Sequence, residues 1–168
     1  MNKVLLVAAL ASAPAAAMDQ NVLPGSACTA SSNAGDCSKA MSTTFAWASG
    51  KQSTCEFEWT ATLSTPYMIT NVTAAFVEFV PFRVMVYGST DNAAWTPIGR
   101  PQSNMTGMAW GFSLNVRAFG PFKFIRYHMC ADNGGFDGGF GHGKAIVVMN
   151  NVLALGHPKL SASLPKAP

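Results

Sequence analysis

The chain has 168 residues, enough for one ordinary domain that buries a single core without help from metals. Its 11 Lys and Arg against 8 Asp and Glu give a net charge of +3, and the basic residues are scattered, which argues against nucleic acid as a partner. Charged residues make up only 11% of the chain while Gly, Ser, Thr and Asn are abundant, a surface style of extracellular β proteins rather than cytosolic helical ones.

The opening Met1-Asn2-Lys3, the apolar run Val4 to Leu10 and the small residues through Ala17 have the charged start, short apolar middle and Ala-x-Ala end of a secretory signal. The run falls short of the roughly 20 residues a bilayer requires. Cleavage is expected before Met18, giving a secreted, extracellular protein. Loss of Lys3 leaves ten basic against eight acidic residues, a net charge of +2. The domain plan is therefore a signal peptide over 1–17, one sandwich domain over 18–156, and a disordered tail over 157–168 that carries three prolines.

Met18 to Gly50 is rich in Ser, Thr, Ala, Asn and Gly, with a short strand near Ala27 to Ser31 and no helical period, so it reads as strand plus long loop. From Cys55 to Leu63, Cys55, Phe57, Trp59, Ala61 and Leu63 alternate against Glu56, Glu58, Thr60 and Thr62, the pattern of a strand with one buried face. Thr65-Pro66 is read as its break, and Ile69 to Phe79 as the next strand. After Pro81, Phe82 to Ser89 alternates again. Ser89, Asp91 and Asn92 then offer side chains to neighbouring amides, so Trp95 to Ile98 is expected to begin the returning arm of a hairpin. Ala109 to Val116 and Phe122 to Cys130 are read as separate strands across Gly120-Pro121, and Lys144 to Leu155 as the closing strand. About eight short strands with turn signals between them indicate an all-β, eight-stranded jelly-roll β-sandwich.

Four cysteines in an exported chain, with no Cys-x-x-Cys pair, point to two disulfides rather than a metal site. Three pairings exist. Cys28 and Cys37 bracket a short polar loop, while Cys55 and Cys130 end two predicted neighbouring strands, so Cys28–Cys37 with Cys55–Cys130 is favoured. Alternation puts Cys55 on the face of Phe57 and Trp59 but Cys130 on the face opposite Ile125, Tyr127 and Met129, so a bulge is expected. Asn71-Val72-Thr73 and Asn104-Met105-Thr106 are glycan acceptor sequons, making Asn71 and Asn104 candidate glycosylation sites.

The strand, Ser-Thr-Asp turn and following Trp over Phe82 to Ile98 resemble the central hairpin of the discoidin domain, also called the coagulation factor 5/8 type C domain. The resemblance extends to Cys28-Thr29-Ala30-Ser31-Ser32 as a first strand and Phe45-Ala46-Trp47-Ala48-Ser49-Gly50 as a Trp-centred loop. Phe57 to Leu63 with Ile69 to Val72 resembles the second strand and its continuation. Lys123 to Tyr127 is similar to the Arg-Tyr-Ile-Arg-Ile strand, and Val152 to Gly156 to the closing strand. It implies a galactose-binding-like, non-catalytic module whose ligand, a glycan, a phospholipid or a protein, sits on loops at one end. Those loops would be Asn33 to Thr54, Glu78 to Pro81, Arg100 to Trp110 and Ala131 to Lys144. Lipid-binding members carry apolar spikes on a longer connection than the few residues around Val80-Pro81, so membrane insertion is not expected. Calcium-dependent members carry an Asp-Gly and a Thr ahead of the loop Trp. Met41 to Trp47 has no carboxylate, so no cofactor is expected, and calcium stays open only through backbone carbonyls.

The glycine-rich Asp132 to Gly143 holds Asp132, Phe136, Asp137, Phe140 and His142, a mixture suited to sugar: rings stack on the apolar face of a pyranose while carboxylate and imidazole bond its hydroxyls. Arg100 and Trp110 flank the neighbouring loop and add a fixed cation and a second ring. The blander alternative is a solvent loop whose phenylalanines tuck under the sandwich edge. Trp47 and Trp95 are read as core, and Arg126 and His128 as cross-strand partners of Glu58. Asp132 and Asp137 as a glycosidase pair lack the rigid support catalysis requires. The resulting expectation is a secreted module that binds an extracellular glycan or glycoprotein, with no catalytic residue. It would act in several copies or a larger assembly, because one shallow site binds modestly. The competing reading is a structural or adhesive protein whose loops contact other proteins.

Overall fold

The computed structural model describes residues 18–50, 55–77, 81–103, 112–131 and 146–159. The strands are β1 (Gln20–Asn21), β2 (Ala27–Ala30), β3 (Trp47–Ala48), β4 (Glu56–Phe76), β5 (Arg83–Ser89), β6 (Thr96–Ser103), β7 (Phe112–Cys130) and β8 (Val148–Pro158). Every pairing is antiparallel. The long strands β4 and β7 pair with each other from Glu56–Cys130 to Phe76–Phe112. Their first and last halves, respectively, join β2, β5 and β6 in a front layer. The other halves join β8, with β1 and β3 on its outer edge, in a rear layer. The result is an all-β sandwich in which β4 and β7 pass through both layers.

Thr65-Pro66 and Gly120-Pro121 bend these strands rather than breaking them, which corrects the sequence expectation of separate short strands. Regular pairing lapses between Thr62 and Tyr67, where Ser64, Thr65 and Pro66 are exposed, and Pro121 stands opposite Met68 on the facing strand. A proline lacks a ladder donor, which is tolerated where an irregularity has already released that donor from duty. The double strand therefore folds over here, and the Tyr127 hydroxyl in the front layer donates to the Thr73 carbonyl in the rear layer at 3.0 Å. Between the layers lie Phe57, Trp59, Ala61, Leu63, Val84, Val86, Ile125 and Met129, facing Val72, Ala74, Phe76, Val116, Val152 and Ala154. β8 continues through His157 and Pro158, two residues past the expected boundary at Gly156.

The open side between β2 and β8 is closed by a 3₁₀ helix, Ala34–Met41, where the sequence suggested only loop. It buries Cys37 and Ala40, and the Trp59 indole donates to the Cys37 carbonyl at 2.9 Å. Asn33, at φ 49°, makes the left-handed step into it.

Disulfides join Cys28 to Cys37 and Cys55 to Cys130, with Cα separations of 5.9 and 4.7 Å. The expected bulge is absent: β4 and β7 stay in register from Glu56–Cys130 to Thr62–Phe124. Cys55 precedes the first residue of β4, so strand alternation does not dictate its direction, and its carbonyl accepts from the Ala131 amide at 3.0 Å.

Candidate functional site

The fold-over sends both ends of β4 and both ends of β7 to one pole. Arg83 at the start of β5 pairs with Cys130 and with Ser103 at the end of β6, so these ends share that pole. In the rear layer the Val77 amide donates to the Val148 carbonyl at 3.1 Å, and Ser49 and Val147 exchange bonds of 2.9 Å. Four stretches of chain, 51–54, 78–80, 104–111 and 132–145, therefore leave and re-enter the described fold at this pole.

Six of the seven ligand-binding residues expected from sequence, Trp110, Asp132, Phe136, Asp137, Phe140 and His142, lie outside the described residues, as does Asn104. Arg100 is described and exposed on β6. Its placement has a local cause. Val86 pairs with Ile98 and Val84 with Gln102, so Gly99, Arg100 and Pro101 together oppose one residue of β5. Such a bulge re-aims the side chain it carries. Gly99 permits it with φ +71°, and a Cβ there would lie 2.1 Å from Val116 Cγ1. Gly99→Ala is expected to destabilise the fold by more than about 1 kcal/mol and to displace Arg100. A urea titration gives the first effect and the Arg100 backbone amide shift the second.

Asn71 of β4 is half-buried between Arg117 of β7 and Leu155 of β8, its Oδ1 buried without a hydrogen-bond partner among the described residues. Trp47 is fully buried, and its indole donates to the Asn33 carbonyl at 3.3 Å. Its near neighbour Phe45 is 63% exposed, and no local pattern in the sequence marks it. Spacing by two suggests that both rings share a face, but β3 begins only at Trp47. Before it, the Ser42 hydroxyl accepts from the Thr44 and Phe45 amides at 3.0 and 3.1 Å, and this turn carries Phe45 outward.

On the outer face of the front layer, Glu58 lies 3.5 Å from Arg126 and 3.2 Å from His128. Glu56 contacts His128 as well and lies 3.4 Å from Arg83. The Arg126 guanidinium covers the Trp95 ring at 3.9 Å. Trp95 is therefore a half-buried member of this outer network, a correction to its reading as core: the arginine two strands away supplies the cover that the interior does not. Because these ion pairs are partly solvated, Glu58→Gln is expected to cost at most about 1 kcal/mol and to leave ligand binding intact. Denaturant titration and a binding isotherm on the same sample check both statements.

The Ser89 turn forms as the sequence suggested. The Ser89 hydroxyl accepts from the Asp91 and Asn92 amides at 3.3 and 3.0 Å, and the Asp91 carboxylate accepts from Ala93 and Ala94 at 2.9 Å each. Those two amide bonds hold the Asp91 carboxyl below its usual range.

No protein-family model and no curated protein matches the chain. Solved structures do. CpGH89CBM32-6 of Clostridium perfringens superposes with a TM-score of 0.62 at 16% identity, over 82% of this chain and 99% of its own. CpGH89CBM32-4 of the same organism, solved with GlcNAc-α-1,4-galactose, gives 0.59 at 18% identity over 86% and 99%. Chitosan-binding module 1 of a chitosanase/glucanase from Paenibacillus sp. IK-5 gives 0.56 at 20% identity over 77% and 98%.

The chain shares the β-sandwich fold of these modules. Within it, β4 and β7 both return to one pole. That pole carries paired strand ends, with Arg100 near them on β6.

Proposed function

We propose that this protein is a secreted, non-catalytic carbohydrate-binding module that recognises glycans through loops at one pole of the sandwich. The carrying observation is the convergence of all four ligand-loop stems on that pole, in a fold shared with modules named for carbohydrate binding. The residues assigned to the site are Arg100, Trp110, Asp132, Phe136, Asp137, Phe140 and His142. Trp110, Phe136 and Phe140 supply rings for the apolar face of a sugar; Arg100, Asp132, Asp137 and His142 supply hydrogen bonds to its hydroxyls. The exposed Phe45 ring adds a stacking surface on the connector into β3. Two disulfides suit an oxidising, extracellular compartment. A shallow site of this kind binds modestly, and repetition in a larger assembly raises avidity.

The test is a glycan array probed with the chain from Met18, in calcium and in chelator, beside the double variant Phe136→Ala/His142→Ala. Loss of one stacked ring and one hydrogen bond is expected to weaken the best hits about ten-fold or more. Glycan binding that persists unchanged in the double variant refutes the loop assignment, and no hit from well-folded protein refutes the sugar reading. Chelator sensitivity would give backbone carbonyls a calcium role.

A further inference from the structure

At the pole opposite the loops, the segment between β1 and β2 crosses from the rear layer to the front, and the bend of β4 makes the same crossing beside it. Between them lies an open cavity of about 210 Å³. It is smaller than the roughly 300–1,000 Å³ of pockets for drug-sized ligands. That space suits one sugar ring. Its walls include Gln20, Gly25, Ser26, Ser64 and Tyr67, with no charged side chain among the lining residues.

One polar lining group is committed, Asn21 Oδ1, which accepts from the Leu23 and Ala154 amides at 3.2 and 3.3 Å. Among the described residues the Tyr67 hydroxyl, the Gln20 amide and the Ser64 hydroxyl have no hydrogen bond to another side chain or to the backbone, and Ser26 Oγ reaches only the Val22 carbonyl, at 3.4 Å. Gly25 adopts φ +78° and leaves open space where a Cβ would stand. Tyr67 packs its ring against the core cluster, which holds the aromatic wall in place. Next to Gln20 in the chain, the Asp19 carboxylate accepts from the Thr70 hydroxyl and lies 2.8 Å from the His157 ring.

Neutral donors and acceptors around one ring, with no fixed charge, are the complement of an uncharged polyol. We infer that this cavity is a second sugar site, for a single neutral pyranose, at the pole opposite the loops. It stands independently of the loop site, because no residue is shared. The competing occupant is the chain's own residues 160–168, since Pro158 pairs with Tyr67 and the tail leaves from the rim.

The test follows backbone amides by NMR as galactose, glucose or galacturonate is added to the chain from Met18. The amides of Gly25, Ser26, Ser64 and Tyr67 are expected to shift saturably with a neutral hexose and far less with the uronate. Tyr67→Phe and, separately, Gln20→Leu are each expected to weaken that binding about five-fold, the loss of one neutral hydrogen bond. The inference is overturned by any of three results: no shift of these amides with millimolar sugar, equal response to galacturonate, or unchanged affinity in both variants. It is also overturned if ending the chain at Lys159 shifts the same amides without sugar, which would assign the cavity to the tail. Binding at the loop pole moves different amides, so either site can fail without the other.

Discussion

Trp59→Ala is expected to cost about 3–5 kcal/mol, a large share of the roughly 5–15 kcal/mol that holds a domain of this size. The side chain is wholly buried, meets the Tyr127 ring edge-on at a centroid distance of 5.8 Å, and donates to the Cys37 carbonyl. Truncation thus opens a cavity and also strips the 3₁₀ helix of its tie to the front layer. Trp59→Phe separates the two effects. It keeps most of the volume but leaves a carbonyl without its donor, for about 1–3 kcal/mol. Tyr127 shares the burial, which pushes its hydroxyl well above the ordinary tyrosine range and keeps it a neutral donor to Thr73. Guanidinium titrations with the disulfides intact give these differences directly. A Trp59→Ala cost under about 1 kcal/mol would mean that the indole does not bridge sheet and helix.

What the sequence made legible was local. The alternation of Phe57, Trp59, Ala61 and Leu63 gives a strand because its period of two is written in adjacent residues, and the Ser89 turn is legible because its bonds span two or three residues. The bend was hidden because proline signals the end of a ladder, and only the partner strand, about fifty residues away, shows that pairing resumes beyond it. The 3₁₀ helix has weak intrinsic signals; a disulfide to Cys28 and an indole from Trp59 hold it, both contacts made across the chain. Trp95 depends likewise on Arg126, a partner that no local pattern names. At the candidate site, the glycine-rich stretch lies outside the described residues, and topology places only the strand ends on either side of it. Phe45 escaped because its exposure comes from a turn held by the Ser42 hydroxyl, inside a stretch read only as a Trp-centred loop.

The two disulfides are expected to contribute unequally. Cys55–Cys130 closes a sequence separation of 75, and Cys28–Cys37 one of 9. In the chain-entropy treatment these correspond to about 4.5 and about 2.6 kcal/mol, so Cys55→Ala/Cys130→Ala should lower stability by about 2 kcal/mol more than Cys28→Ala/Cys37→Ala. The ranking inverts if the smaller bridge matters mainly through native contacts, since Cys37 anchors the 3₁₀ helix that closes the side of the sandwich. Comparing the two alanine pairs by urea titration decides between these causes. The larger bridge has a second consequence. Cys55 and Cys130 stand at the stems of two of the loops proposed to bind the glycan, one just after residues 51–54 and the other just before Ala131. Cutting the bridge frees both stems at once, so glycan affinity should fall even at temperatures where the sandwich remains folded. Affinity that survives while stability drops would mean that the β4–β7 ladder alone, paired without interruption from Glu56–Cys130 to Thr62–Phe124, sets the geometry of the binding pole.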